Sequence, residues 1–236
     1  RLALKMYRRL SGANDEEGTR ITITQDLSAI SDAEFVIEAV AEDKNIKIEV
    51  IRNVSQYVAN STIITSNTST LSITELAEAT GFPERFFGCH FFNPAYAISI
   101  VELSLGEKSS TDYLPKLHDM LDQAKFSIVT MEEKPGFIVN RALFLMINEA
   151  IEMLLEKTAT AREIDNLFEK ALGHPMGPLT LADFIGLDTC EAILNNLFKE
   201  FKQSKYRPSV LLTRKVRAGK LGRKSREGFY HYGNIR

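Results

Sequence analysis

The strongest constraint on the fold of this chain is a change of sequence pattern near residue 135. Before that point, short apolar runs typical of buried strands alternate with segments whose apolar residues recur at helical spacing. After it, nearly every candidate element has helical spacing. Alternating strands and helices are typical of a largely parallel sheet with helices outside, so the pattern predicts an α/β Rossmann-like domain followed by an all-α helical domain.

The predicted strands of the first part span residues 21–24, 35–40, 62–66, 86–92, 98–103 and 126–129. The predicted helices of the first part span residues 46–58, 72–79 and 112–123. The predicted helices of the second part span residues 138–156, 161–171, 179–185, 189–201 and 209–218. Pro135 disfavours a helical conformation at Lys134, and Gly136 can adopt backbone angles that other residues avoid. A domain boundary is therefore expected between residues 1–133 and residues 134–236.

Composition and charge exclude several classes of protein. With 236 residues, 44% of them hydrophobic, the chain can bury a sizeable core. The net charge is −2, and basic residues concentrate only in residues 215–226, so neither a nucleic acid nor a membrane is an expected partner. Cys89 and Cys190 cannot form a disulfide framework, which favours a reducing, cytoplasmic location. The four histidines are scattered and the cysteines lack paired ligand spacing, so no metal site is predicted.

His90 has the most informative surroundings of the four histidines. It lies in the sequence GCHFFNP, residues 88–94, at the end of a predicted strand, and Glu102 lies in the next strand. Imidazole titrates near neutral pH, and a carboxylate on its far nitrogen can fix the tautomer and stabilise the charged form. The pattern predicts that His90 is a general base paired with Glu102. The competing interpretation is a packed strand histidine with a surface carboxylate nearby.

Five further motifs stand in a fixed order around this one. They are SNTSTL at 66–71, PGFIVNR at 135–141, GHPMGP at 173–178, GLD at 186–188 and GFY at 228–230. Each motif is weak alone, but the ordered set is specific. Over nearly its whole length the chain resembles the 3-hydroxyacyl-CoA dehydrogenase family.

The resemblance implies an oxidoreductase that reversibly oxidises L-3-hydroxyacyl-CoA to 3-ketoacyl-CoA with NAD, in fatty-acid β-oxidation or butyrate metabolism. It implies that His90 is the catalytic base, that Glu102 holds it, and that Ser69 and Asn140 contact the substrate oxygen. Ser69 and Asn140 could instead make only local helix-capping bonds. Ser72 is the better cap because Glu75 follows it by three residues. A homodimer through the helical domain is also implied.

The resemblance further implies a set of NAD contacts. The residues that match are Val40, Ala41, Glu42, Lys47, Asn67, Ser69, Asn93 and Lys224. Glu42 and Lys47 suit ribose hydroxyls and polar edges of the cofactor. An acid and a base at these positions are equally typical of a solvated first helical turn, so that alternative stays open.

The glycine-rich turn that opens most dinucleotide-binding domains is not found in the sequence. Gly12 and Gly18 are the only glycines before residue 81, and neither follows an apolar strand. We therefore expect the first strand-loop-helix unit to lie outside this chain, in a parent protein longer by several tens of residues, the usual size of such a unit.

Three other functional interpretations remain at this point. The same architecture oxidises a sugar acid in gulonate-type relatives of this family. A chain without its phosphate loop could be a catalytically inert fragment that only dimerises. It could also be one module of a multifunctional β-oxidation protein.

Overall fold

A computed structural model describes residues 22–233, and these residues divide into two compact units between Glu133 and Lys134. The first unit contains a single five-stranded sheet with helices, and the second consists of helices. The predicted fold class, a Rossmann-like sheet followed by a helical domain, is confirmed. No helix in the described part of the chain is both long and apolar enough to cross a lipid bilayer.

The sheet of the first unit has its strands in sequence order. They are β1 (Phe35–Glu38), β2 (Ile63–Ser66), β3 (Phe86–Phe91), β4 (Ile100–Leu105) and β5 (Ser127–Glu132). All neighbouring strands are parallel except β3 and β4, which are antiparallel. The carboxyl ends of β1, β2 and β3 therefore meet at one edge of the sheet, and β4 begins at that same edge. Ligands of open α/β sheets bind at such an edge.

Three helices of the first unit are α1 (Lys44–Ser55), α2 (Ile73–Ala77) and α3 (Leu114–Gln123). Ser72 caps α2 by accepting a hydrogen bond from the Glu75 backbone N–H at 3.1 Å, so the predicted cap is confirmed. Helix α3 is covered on one face by the sheet, and the shared core is formed by Ile63, Phe87, Leu103 and Leu117. Burying an apolar side chain of this size contributes about 1.5–3 kcal/mol to the free energy of folding. This core therefore holds α3 against the sheet that carries the site.

The prediction of a strand at residues 21–24 is wrong for residues 22–24, the part that the structure describes. Residues 22–24 are not in a strand, Ile23 is 81% exposed, and residue 21 lies outside the described range. A strand needs a neighbour for its backbone hydrogen bonds, and the alternating Ile and Thr pattern alone supplies none. The other predicted strands and helices are all present, with ends shifted by at most three residues.

The second unit contains five α-helices among its described residues. They are α4 (Val139–Leu155), α5 (Ala161–Ala171), α6 (Pro178–Ile185), α7 (Leu187–Phe201) and α8 (Val210–Arg217). Apolar faces of all five helices meet in one core, which includes Ile147, Ile164, Leu179, Leu194 and Leu212. The amphipathic spacing seen in the sequence thus corresponds to these buried faces.

A buried carboxylate organises the carboxyl-terminal segment of this unit. Asp183, on α6, accepts hydrogen bonds from the backbone N–H groups of Phe229 and Tyr230, both at 2.9 Å, and from the Tyr232 hydroxyl at 3.0 Å. Burial raises the pKa of Asp183, although these hydrogen bonds oppose the rise. A Cβ atom on Gly228 would lie 1.9 Å from an Asp183 carboxylate oxygen, so only glycine fits there. The GFY motif therefore has a structural role in this unit.

Candidate active site

The candidate site lies at the edge of the first unit where β1, β2 and β3 end. Three loops leave the sheet there, and they begin after Glu38, Ser66 and Phe91. The neighbouring strand β4 starts at the same edge because it runs antiparallel to β3. The predicted site residues of this unit lie in these loops, in strands β3 and β4 and in the first turn of α1.

His90 and Glu102 form the centre of the site. They are directly opposite each other in the antiparallel ladder of β3 and β4, and both are buried. The Nδ1 atom of His90 lies 2.8 Å from Oε2 of Glu102. Side chains directly opposite each other in antiparallel strands are close enough for such a contact. The pairing that the sequence predicted is therefore present in the structure as a hydrogen bond.

The other imidazole nitrogen of His90 faces Ser69. The Nε2 atom lies 3.1 Å from the Ser69 hydroxyl oxygen. An ionised carboxylate only accepts hydrogen bonds, so Glu102 requires the proton to be on Nδ1 of the neutral ring. Nε2 then carries the lone pair, which is the form that a general base needs. The Phe92 ring packs against the imidazole with 4.9 Å between ring centroids, which further limits its movement.

Ser69 belongs to a short loop that is held by Glu42. Oε1 of Glu42 accepts hydrogen bonds from the backbone N–H of Ser69 at 2.8 Å and from that of Thr70 at 3.1 Å. The same oxygen accepts from the hydroxyls of Thr68 at 2.6 Å and Thr70 at 3.1 Å. The structure therefore places Glu42 beside the loop that carries Ser69.

Lys47 is buried rather than displayed at the surface. Its side chain is 1% exposed, and its ammonium group donates to both carboxylate oxygens of Glu38, at 2.8 and 3.0 Å. The Glu42 Oε2 atom is 3.4 Å from the ammonium nitrogen. Glu38 also accepts a hydrogen bond from the Ser66 hydroxyl at 2.5 Å. The surface alternative considered for Lys47 is therefore wrong, because a solvated first-turn lysine would be exposed.

Sequence reasoning did not find Glu38, Ser66 or Thr68. The available signal for Glu38 was an acid within the apolar run FVIEAV at residues 35–40, since a carboxylate in a buried strand needs a partner. Ser66 and Thr68 gave no comparable signal. Their hydroxyls acquire a role only when β1 and β2 lie side by side.

The remaining predicted residues of the first unit line the same edge. The Asn67 side-chain oxygen accepts a hydrogen bond from the Phe91 backbone N–H at 2.9 Å, which ties the loop after β2 to the end of β3. Val40 follows β1 and is 38% exposed, and its backbone N–H donates to Glu38 at 2.7 Å. Ala41 and Asn93 are also exposed in the loops that follow β1 and β3.

Two predicted site residues belong to the second unit. Asn140 lies in the first turn of α4. Lys224 follows α8, in a short 3-10 helix, and its ammonium group forms an ion pair with Asp188 at 2.5 Å. The roles of Asn140 and Lys224 stay predictions. Between Thr22 and Gly233, no group of three or more His, Cys, Asp or Glu side chains could hold a metal ion.

Two family models match the chain. Residues 5–134 match the NAD binding domain of 3-hydroxyacyl-CoA dehydrogenase, and residues 136–232 match the C-terminal domain of 3-hydroxyacyl-CoA dehydrogenase. Together these matches cover both units.

Several known proteins are similar to the chain. A probable 3-hydroxybutyryl-CoA dehydrogenase of Deinococcus radiodurans is 43% identical over 90% of this chain and 77% of its own length. A 3-hydroxybutyryl-CoA dehydrogenase of Clostridioides difficile is 40% identical over 91% of this chain and 76% of its own length. The crystal structure of an (S)-3-hydroxybutyryl-CoA dehydrogenase from Ralstonia eutropha superposes with a TM-score of 0.94 at 37% identity. That superposition covers 99% of this chain and 84% of the other.

The buried Lys47 and Glu38 pair leads to a prediction about stability. Lys47→Met keeps most of the side-chain volume but leaves the Glu38 carboxylate buried without its cation. Removing one partner of a buried ion pair typically costs about 3–5 kcal/mol, so we expect a loss of this size in the free energy of unfolding, measured by urea titration. Lys108→Met removes an exposed ion pair with Glu78 and should change the unfolding midpoint little. Equal midpoints for the two variants would contradict the prediction.

Proposed function

The chain belongs to the 3-hydroxyacyl-CoA dehydrogenase family, and we propose that it catalyses the reversible NAD-dependent oxidation of L-3-hydroxyacyl-CoA to 3-ketoacyl-CoA. The observation that carries the proposal is the sequence of hydrogen-bond contacts from Glu102 through His90 to Ser69. An imidazole held in this way at the ligand-binding edge of an α/β sheet is suited to remove a proton from an alcohol.

The residues at this edge fit a dinucleotide. Exposed apolar groups at Val40 and Ala41 lie on the same edge as polar groups at Asn67 and Asn93. Cofactor sites combine apolar surface with a few placed polar groups in this manner. We assign these four residues, with Ser69, to cofactor binding, and we keep Lys47 and Lys224 as predicted contributors. The NAD so held would supply the acceptor for the hydride that leaves C3 of the substrate.

The protein side chains handle the proton. Nε2 of His90 accepts the proton of the 3-hydroxyl group, and in the reverse direction it returns that proton to the ketone oxygen. Glu102 keeps Nδ1 protonated and stabilises the positive charge that then appears on the ring. Ser69 and Asn140 hold the substrate oxygen by hydrogen bonds. A positioned base of this kind contributes about 10² to 10⁴ in rate.

The substrate proposed is a short-chain acyl-CoA. Relatives in two bacteria are named for 3-hydroxybutyryl-CoA, and a similar pig enzyme is named hydroxyacyl-coenzyme A dehydrogenase. On this basis we place the reaction in fatty-acid β-oxidation or butyrate metabolism. The gulonate-type alternative receives no support from these relatives.

Turnover of a CoA substrate is the direct test. The protein should oxidise NADH in the presence of acetoacetyl-CoA, as followed by absorbance, and should not reduce NAD in the presence of gulonate. His90→Ala removes the base and should lower kcat by a factor of about 10² to 10⁴. Glu102→Gln leaves the ring in place but removes the charge that stabilises the imidazolium, so a smaller loss of kcat is expected.

His118→Ala is the matched control for the base. His118 is a half-buried histidine of the same unit, on α3, and its ring contacts the Thr130 hydroxyl rather than the site. Its substitution should leave kcat unchanged. Unaltered turnover in the His90 variant would defeat the assignment of the base, and turnover with gulonate but not acetoacetyl-CoA would defeat the substrate class.

A homodimer through the helical domain is also proposed. The family resemblance motivates it, and large apolar side chains exposed on the second unit support it. Leu167 on α5 and Leu172 just after that helix are each 64% exposed. Large apolar side chains with this much exposure are candidates for an interaction surface.

Light scattering after gel filtration measures the oligomeric state. The protein should have the mass of two chains, and the double variant Leu167→Glu/Leu172→Glu should shift it toward the mass of one, because charges at an apolar interface oppose association. Ile46→Glu places the same charge at an exposed apolar position of the first unit and should leave the dimer intact. A monomeric wild-type protein would refute the proposal.

A cytoplasmic location is the remaining proposal. Its support is the pair of free cysteines, Cys89 and Cys190, both buried in different units. Burial raises the pKa of each thiol to about 12, so neither cysteine readily forms the thiolate that disulfide exchange requires. Cell fractionation tests the proposal, and recovery of the protein outside the cytoplasmic fraction would overturn it.

A further inference from the structure

We propose that Glu42 is a positioning residue, whose carboxylate holds the loop of residues 68–70 so that the Ser69 hydroxyl stays against Nε2 of His90. The inference rests on the proposed dehydrogenase function for its kinetic consequence. It assigns to Glu42 a role that acts through Ser69 rather than through a ribose hydroxyl of the cofactor.

The hydrogen bonds of one carboxylate oxygen carry the proposal. Oε1 of Glu42 accepts from two successive backbone N–H groups, those of Ser69 and Thr70, and from the hydroxyls of Thr68 and Thr70. Backbone N–H groups are fixed to the chain, so bonding two in succession fixes the course of the loop. Hydrogen bonds to an ionised acceptor are roughly twice as strong as neutral ones. This oxygen is therefore saturated by the loop.

The second oxygen connects the loop to the sheet. Oε2 of Glu42 lies 3.4 Å from the Lys47 ammonium group, which is itself bonded to Glu38 at the end of β1. Lys47 is almost fully buried, so this cation is a fixed point rather than a mobile surface charge. Glu42 thus joins the buried ion pair of β1 and α1 to the loop after β2.

The distance between Ser69 and His90 is the quantity that Glu42 controls. The Ser69 backbone N–H is bonded to Glu42, and the hydroxyl of the same residue is 3.1 Å from Nε2 of His90. Errors of about 1 Å in the placement of reacting groups can cost on the order of 10² in rate. Loss of the carboxylate should therefore lower kcat although Glu42 does not itself exchange a proton with the substrate.

Amide hydrogen exchange measures the loop without any substrate. Glu42→Ala should accelerate exchange at the Ser69 and Thr70 amides by roughly tenfold to a hundredfold, because both lose a charged acceptor. Glu42→Gln keeps one acceptor oxygen and should accelerate them less. Asp43→Ala is the matched control. It removes the neighbouring acid, which caps α1 through Asn45 and Ile46 and does not contact the loop.

A kinetic double-mutant cycle then tests whether Glu42 acts through Ser69. Glu42→Ala and Ser69→Ala should each lower kcat, by about tenfold to a hundredfold. The double variant should match Ser69→Ala within about twofold, since residues that act as one unit are not additive. Losses that multiply would show that Glu42 acts independently of Ser69. A raised KM for NAD with unchanged kcat would show direct cofactor binding. Either result would overturn the proposal.

The two measurements separate this inference from the proposed function. If the wild-type protein does not turn over acyl-CoA with NAD, the dehydrogenase assignment fails, and the exchange rates still report whether Glu42 holds the loop. If exchange at Ser69 and Thr70 is equally slow in Glu42→Ala and wild type, the positioning role is refuted whatever the enzyme does.

Discussion

The antiparallel pairing of β3 with β4 is the constraint on which the candidate site depends. It sets His90 directly opposite Glu102, and both residues belong to strands rather than to loops. Successive side chains of a strand point to opposite faces, so a slip of one residue in this register would move Glu102 to the other side of the sheet. The buried apolar residues Phe87, Leu103 and Val101 resist such a slip, because it would take them out of the clusters in which they pack. Core packing thereby fixes the geometry of the base.

Parallel pairing of β1, β2 and β3 supplies the rest of the site. Because these three strands end at one edge, side chains that are far apart in sequence meet there: Glu38 and Ser66 are 28 residues apart, and Glu42 and Ser69 are 27. Buried ion pairs such as Glu38 with Lys47 contribute little net stability, since desolvation offsets their attraction. Their effect here is geometric, because the pair gives the loops after β1 and β2 a common anchor.

Much of this arrangement was predictable from the sequence. Features with a local sequence signal were predicted correctly, and features that depend on the pairing of distant segments were not. Helical spacing and apolar runs marked the elements because burial of one face is a local signal. His90 and Glu102 were recognised because each has a distinctive chemical type near a strand end. The hydrogen bonds that Glu42 accepts from the 68–70 loop were not recognised, because their donors are backbone N–H groups and hydroxyls whose proximity to Glu42 is decided by strand order. The strand expected at 21–24 failed for the same reason, since strand formation depends on a partner.

The motifs that supported the family resemblance consist of two physically different kinds. In GCHFFNP, residues 88–94, the defining side chain is His90. Its Nδ1 atom bonds to Glu102, so Nε2, which faces Ser69, carries the lone pair that a base needs. In GFY, residues 228–230, glycine is required because any Cβ would collide with Asp183, and two backbone N–H groups bond to that carboxylate. The first motif concerns reactivity and the second concerns chain packing. Since substitutions in both motifs are expected to lower activity in an assay, only measurements that separate folding from turnover can assign a residue of such a motif to chemistry.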